Sequence, residues 1–441
     1  MCHPAVPVYS EGMAEREPDE LRALSRLTAA ELASGAGGIG GVHDAIARRV
    51  FCAVGPSARP AQLAHDAIAR GVYAGVRGAS TLAGQAADRA LSRREGGRSI
   101  SATPRGAAAL AVVNGLIGDA LEAARSDLQE PMAVRRGGRI VEPDALADAF
   151  PDARPRLVVF VHGLMETEHA WRLGGGPTYG ARLERELGCS ALDVRYNSGR
   201  HISHNGRSLA ELLERVVAEW PVEAEQVALV GHSMGGLVAR SACCHASELG
   251  HDWVGRVRHV VLLGTPHMGA PLAQGVHYAA HALHAVPETR PFARFLRRRS
   301  AGIRDLRHGS LVDRDWEGCD PDALRAAACA EVPLLEGATH FFVTATITRE
   351  ERHPLGRLAG DALVLVPSAS GRSRTRRIPF RAEDGLHVGG AHHLALLNHP
   401  AVYERLREWL TQSPSQALRA APSDQSTGKN ASSSSRSPGR R

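Results

Sequence analysis

VALVGHSMGG, residues 227–236, is the stretch from which the rest of the chain can be read. Val227, Ala228, Leu229 and Val230 form a short continuous apolar run, the pattern of a buried strand. Gly-His-Ser-Met-Gly then turns the chain sharply into GLVARSACCHASEL, a run suited to a helix. Such a turn forces the serine into an unusual backbone conformation. It also brings neighbouring backbone too close for a Cβ two positions before and two after, where Gly231 and Gly235 stand. Ser233 is therefore the candidate nucleophile. Because the chain has 46 Gly, a bare G-x-S-x-G carries weight only through its strand-before, helix-after context.

Around this centre the sequence alternates strand and helix. Leu157–Val161, Ala191–Tyr196, Val227–Val230, His259–Leu263 and Phe341–Ile347 read as strands. Gly180–Leu187, Arg207–Glu219, Gly236–Leu249 and Ala401–Leu410 read as helices. Continuous apolar strands separated by helices imply an α/β fold with a mostly parallel central sheet covered on both faces, in which reactive groups collect at the C-terminal strand ends. Three such ends carry unusual residues: His162-Gly163-Leu164-Met165 after the first strand, Ser233 after the third, and Gly264-Thr265-Pro266-His267 after the fourth. The first supplies free backbone N–H groups beside the serine. Leu164 is the preferred oxyanion donor, with Gly163 and Met165 next to it and Met234 at the start of the elbow helix as the second donor. His162 reads as a structural histidine holding that loop.

A serine nucleophile needs a base, and the base needs a carboxylate to fix its tautomer. With 22 His in the chain, proximity in sequence decides little. The order Ser, acid, His excludes the histidines upstream of Ser233. Asp361 in GDALVLVPS is the candidate acid and His393 in GAHHLALL the candidate base, with Asp384 and His392 as their competitors.

These blocks resemble the α/β-hydrolase superfamily, and within it the lipase and esterase group that includes GPI inositol-deacylase-like proteins and bacterial triacylglycerol lipases. The likeness lies in VFVHGLMETEHAW, VALVGHSMGGLVAR, VLLGTPHMGAPLA, GDALVLVPSAS and HHLALLNHPAVYERLREWL, spanning Arg156 to Leu410. It implies Ser233, Asp361 and His393 as nucleophile, acid and base, and Gly163–Met165 with Met234 as the oxyanion region. Where the group usually carries Asp-Gly, this chain has Asp361-Ala362.

The expected organisation is a helical N-terminal region over residues 1–150, a hydrolase domain over 151–412 and a Ser-rich basic tail over 413–441. Glu20–Leu32, Val42–Cys52, Ala64–Leu91 and Pro104–Leu128 favour helix, with Gly138–Val141 as an edge strand in the link into the hydrolase domain. A cap insertion is expected at 271–340, with Leu283, Val286, Phe292 and Leu296 lining an acyl channel and Arg294, Arg297, Arg298 and Arg299 on a solvated or headgroup-facing surface. The Asn197–Gly199 and Asn205–Gly206 segments are expected to make turns.

The formal net charge of +6 is concentrated at the end, where Arg419, Lys429, Arg436, Arg440 and Arg441 face only Asp424, so nucleic-acid binding is not indicated. Seven Cys without a C-x-x-C suggest neither a zinc site nor a disulfide framework. No dinucleotide fingerprint comes after the first strand, and no metal or organic cofactor is expected. No secretory signal and no uninterrupted apolar stretch of spanning length is seen, so a cytoplasmic enzyme is expected, without a GPI-processing role. Its partner would be an ester or lipid-like substrate, with peripheral contact to a membrane or lipid surface through the N-terminal helices or the cap. The expected activity is carboxylester hydrolysis by an esterase or lipase. Amide or thioester hydrolysis, acyl transfer, and a non-catalytic binding protein on the same fold are the alternatives.

Overall fold

The structure, a computed structural model, describes residues 20–31, 59–91, 99–270, 299–320, 329–350 and 353–412, with a few single positions between the first two of these segments. At its centre lies an eight-stranded sheet built from β1 (Ala133–Arg136), β2 (Arg139–Val141), β3 (Arg156–Val161), β4 (Ser190–Arg195), β5 (Gln226–His232), β6 (Val257–Leu263), β7 (Thr339–Thr346) and β8 (Gly385–Gly389). The spatial order is β2-β1-β4-β3-β5-β6-β7-β8. Strands β3 to β8 run parallel, and β1 is antiparallel to both β2 and β4.

Period-two alternation divides each central strand between two cores. In β3, Leu157, Val159 and Val161 face one cluster while Val158 and Phe160 face the other. In β5, Val227 and Leu229 oppose Ala228 and Val230 in the same way. Upstream of the sheet lie α1 (Arg59–Leu91) and α2 (Pro104–Ala123). The first core is closed by α4 (Ile202–Ala218) and α5 (Met234–Leu249), and the second by α3 (Tyr179–Leu187) and α6 (Pro400–Thr411). Because both faces are covered, the parallel strands need no polar side, which explains their continuous apolar runs.

A small satellite core joins the helix at 20–31 to α2 through Ala23, Leu110, Leu121 and Leu128. The same N-terminal helix meets α1 closely: a Cβ on Gly84 would lie 2.4 Å from the Cβ of Ala29, a contact that small residues permit. The expected helix at Val42–Cys52 and the tail at 413–441 lie outside the described residues, as do Leu283, Val286, Phe292, Leu296, Arg294, Arg297 and Arg298 of the cap insertion. Arg299, expected on a solvated or headgroup-facing surface, is buried instead.

Three features differ from the sequence expectation. The sheet begins before residue 151, since β1 and β2 come from the segment expected to be a helical region and its link, with β2 on the expected edge. Strand β8 has no counterpart among the expected strands: GLHVG is short and flanked by glycine, and its register against β7 comes from tertiary pairing. Finally, α2 is long and apolar enough to cross a membrane by length and composition, with a mean hydropathy of 1.3. Asn114, Gly115 and Gly118 on this helix are nevertheless buried against the body of the domain.

Candidate active site

Ser233 sits between β5 and α5 with φ 52° and ψ −122°, one of four non-glycine residues with positive φ among those described. Its amide donates to the Leu263 carbonyl at 2.8 Å, tying the turn to β6. The flanking glycines are required by contact. A Cβ on Gly231 would lie 2.5 Å from the Gly236 backbone, and one on Gly235 would lie 2.2 Å from the Val161 carbonyl oxygen at the end of β3. The elbow is thus wedged between the C-terminal ends of two neighbouring strands, and the strain at Ser233 is held there by packing.

Asp361 and His393 come together beside it. His393 Nδ1 lies 2.7 Å from Asp361 Oδ2, and the His393 amide donates to the Asp361 carbonyl at 2.9 Å, so side chain and backbone are fastened to the same residue. The second carboxylate oxygen, Oδ1, accepts from the amides of Leu363 at 3.0 Å and Val364 at 2.7 Å. Three donors hold this buried carboxylate as an acceptor, which assigns the proton on His393 to Nδ1 and leaves Nε2 without a hydrogen-bond partner among the described residues. The ring also packs against Gly264, where a Cβ would approach it to 3.1 Å. His392 points to solvent, and Asp384 pairs with Arg381, so neither competitor enters the cluster. Ala362, next to the acid, has φ 84°, a left-handed conformation that a glycine would adopt freely.

In the loop after β3 the three candidate donors are not equivalent. The Gly163 amide donates to Glu166 Oε2 at 2.8 Å and the Met165 amide to Ser198 Oγ at 3.0 Å. Among the described residues, Leu164 is left as the amide with no internal acceptor. His162 holds the loop from beneath. It is fully buried, its Nδ1 donates to the Gly163 carbonyl at 2.8 Å, its Nε2 accepts from the Tyr196 amide at 3.3 Å, and its ring stacks on Tyr196. Burial holds it neutral, with a pKa below the ordinary histidine value.

The sequence reading missed two residues here. Glu166 lies 3.0 Å from Nδ1 of His232, the residue before Ser233, and Nε2 of His232 lies 3.3 Å from the main-chain carbonyl of His393. Burial would raise the Glu166 carboxyl, but the His232 charge and hydrogen bond and the Gly163 amide outweigh it and hold the pKa below the ordinary value. Burial would likewise lower His232, and the Glu166 charge and hydrogen bond outweigh it and raise the pKa above the ordinary value. The only sequence signal was an acid three residues after Gly163 and a histidine inside the elbow, neither of which points to the other.

The asparagine segments also do more than form turns. Asn197 Oδ1 accepts from the Gly199 amide, as a turn would require, but Asn197 Nδ2 donates to the Gly118 carbonyl on α2 and Asn205 Nδ2 to the Asn197 carbonyl. Ser300 Oγ donates to the Gly115 carbonyl on the same helix. Helix α2 therefore backs the loop after β4, whose Ser198 accepts from Met165 in the loop after β3.

Residues 155–317 match the family described as PGAP1-like alpha/beta domain. Among solved structures, the chain is similar to the Bacillus licheniformis lipase BlEst2 in its mature form, at 21% identity and a TM-score of 0.37, covering 58% of this chain and 91% of that one. It is also similar to a Pyrobaculum calidifontis esterase, at 16% identity and a TM-score of 0.34, covering 74% and 94%. A third is phospholipase PlaB from Legionella pneumophila in complex with thio-NAD, at 16% identity and a TM-score of 0.31, covering 48% and 44%. No curated protein matches. The segment matched by the PGAP1-like alpha/beta domain runs from β3 through the elbow and β6, and the covered, mostly parallel sheet around it is an α/β fold.

Proposed function

We propose that the chain is a serine carboxylester hydrolase working through an acyl-enzyme. Ser233 attacks the ester carbonyl while Nε2 of His393 takes its proton, and Asp361 holds the ring and offsets the charge it gains. The developing oxyanion is received by the amides of Leu164 and Met234. His393 then gives the proton to the departing alcohol. Water, activated by the same ring, resolves the acyl-enzyme and frees the acid. The observation that carries this reading is the gathering, at the C-terminal end of the sheet, of a strained serine, a histidine whose Nδ1 is committed to a triply bonded carboxylate, and an uncommitted loop amide.

The substrate would be an ester or lipid-like molecule. Leu63, Val72, Val76 and Leu82, exposed along α1, support peripheral contact with a lipid surface. Labelling by a fluorophosphonate probe tests the chemistry. Wild-type protein should react and Ser233→Ala should not, and a well-folded wild type that resists the probe would sink the catalytic reading. Turnover of p-nitrophenyl esters from acetate to palmitate then separates an esterase from a lipase, and parallel assays on thioesters and amides separate ester cleavage from its chemical relatives.

A further inference from the structure

Hydrogen-bond geometry around His232 leaves little freedom in its protonation. Nδ1 faces the Glu166 carboxylate at 3.0 Å and Nε2 faces the His393 main-chain carbonyl at 3.3 Å. Both partners only accept, so both ring nitrogens must donate and the ring is an imidazolium. It is fully buried, its nearest carboxylate is Glu166, and the edge of Trp171 closes another side with ring centroids 6.3 Å apart. The Glu166 carboxylate meanwhile accepts the Gly163 amide at 2.8 Å. One carboxylate thus ties together three parts of the site: the loop after β3, the residue preceding the nucleophile, and, through His232, the backbone of the base.

We propose that Glu166 is a positioning residue for catalysis, fixing the oxyanion loop by its bond to Gly163 and the backbone of His393 by its ion pair with His232. By engaging the amide before Leu164, the carboxylate turns the loop so that the Leu164 N–H is the one left for the reacting oxygen. Through the imidazolium, the same carboxylate supplies a second anchor for His393, independent of Asp361. This inference rests on the hydrolase reading above and assigns to the pair the alignment of donor and base, which matters most in the transition state.

The test uses full-length protein and p-nitrophenyl butyrate, with an alkylboronic acid as a probe of the tetrahedral state. Glu166→Gln keeps the shape of the side chain and removes its charge. It should lower kcat by about 100-fold and weaken the boronic acid by a similar factor, with KM changed by less than about 3-fold, as expected for loss of positioning in the transition state. A merely structural role would lower the fraction of active enzyme, titrated by fluorophosphonate, while leaving kcat per labelled site and boronic acid affinity intact. That result would overturn the proposal. Proton NMR of nitrogen-15-labelled protein supplies a measurement that does not depend on the variant folding. Wild type and Ser233→Ala should both show two ring N–H protons on His232, and a single one would overturn the proposal by itself. An active wild type with an unaffected Glu166→Gln defeats this inference alone, whereas a wild type without turnover or labelling defeats the hydrolase reading and this inference with it.

Discussion

Ala362 illustrates what a single side chain costs at this site. Its φ of 84° is held by the turn that presents Asp361, whose amide donates to the Val364 carbonyl at 3.2 Å while its carboxylate collects the amides of Leu363 and Val364. An L-residue in the left-handed region loses roughly 1–2 kcal/mol, and glycine returns roughly 0.4–1 kcal/mol of that as unfolded-chain entropy. Ala362→Gly should therefore raise stability by up to about 1 kcal/mol with turnover unchanged, as read by urea denaturation. Asp361→Asn belongs to the same scale. Without the carboxylate the Nδ1 tautomer of His393 is no longer enforced, and kcat should fall by about 10³–10⁴-fold with little change in KM. Ser233 stood out in the sequence as a candidate because an elbow has a local signature, and Asp361 and His393, which the structure places in contact, stood out through the order of acid and base downstream of it. Glu166 and His232 could not, since they are 66 positions apart and their pairing exists only once the loop after β3 lies against the elbow.

At the level of elements, the long central strands and the helices between them were legible because burial on both faces leaves continuous apolar runs. The edges were not. Strand β1 is AVRR and β8 is GLHVG, each too short or too polar to declare itself, and each is fixed by the neighbour it pairs with. Helix α2 was expected, but its role behind the site was hidden in its small residues. A Cβ on Gly118 would fall 1.8 Å from Asn197 Oδ1, and one on Gly115 would fall 2.3 Å from Met165 Cγ. Gly118→Ala should cost about 1–3 kcal/mol by overpacking. It should also reduce turnover beyond the unfolded fraction, because Asn197 and Ser198 position the loop that carries Leu164. Gly78→Ala on α1, where a Cβ meets nothing within 4 Å, is the matched control and should be stabilising by roughly 0.5–1 kcal/mol. Denaturation midpoints and turnover per labelled site, measured together, check both.

For the whole molecule, buried histidines set the response to acid. His162 and His267 are pushed below the ordinary value by burial, His259 is lowered to about 4 and His340 to about 3. His267 faces Arg240 at 3.4 Å, a second reason for it to stay neutral. His259 and His340 remain mostly uncharged in the fold at pH 5 and the other two rings take up a proton less readily than in the unfolded chain, which protonates all four from about pH 6.5 downward. The unfolded state then binds more protons, so stability must fall as pH drops below about 6.5. His232 and Asp193 oppose the trend: the raised pKa of His232, and that of the buried Asp193 carboxyl, pushed up to about 7, are stabilising at low pH, a contribution lost as pH rises through their folded values. The depressed histidines outnumber them. The melting temperature should decline between about pH 6.5 and 5, with net proton uptake on unfolding, and a flat profile in that window would contradict the assignment. His340→Phe should make the slope shallower.

The docking of α2 also has a consequence for the growing chain. Its Gly115 carbonyl is bonded to Ser300, 185 residues further along, and its Asn197 partner is also made long after the helix. At about 5–20 residues per second, the ribosome needs about 10–40 s to deliver that contact. Throughout that interval a helix apolar enough to span a membrane has been synthesised but lacks part of its dock. Its competitors during synthesis are whatever apolar surfaces lie near the exit tunnel, and the candidate site is completed only after the helix has been kept free of them.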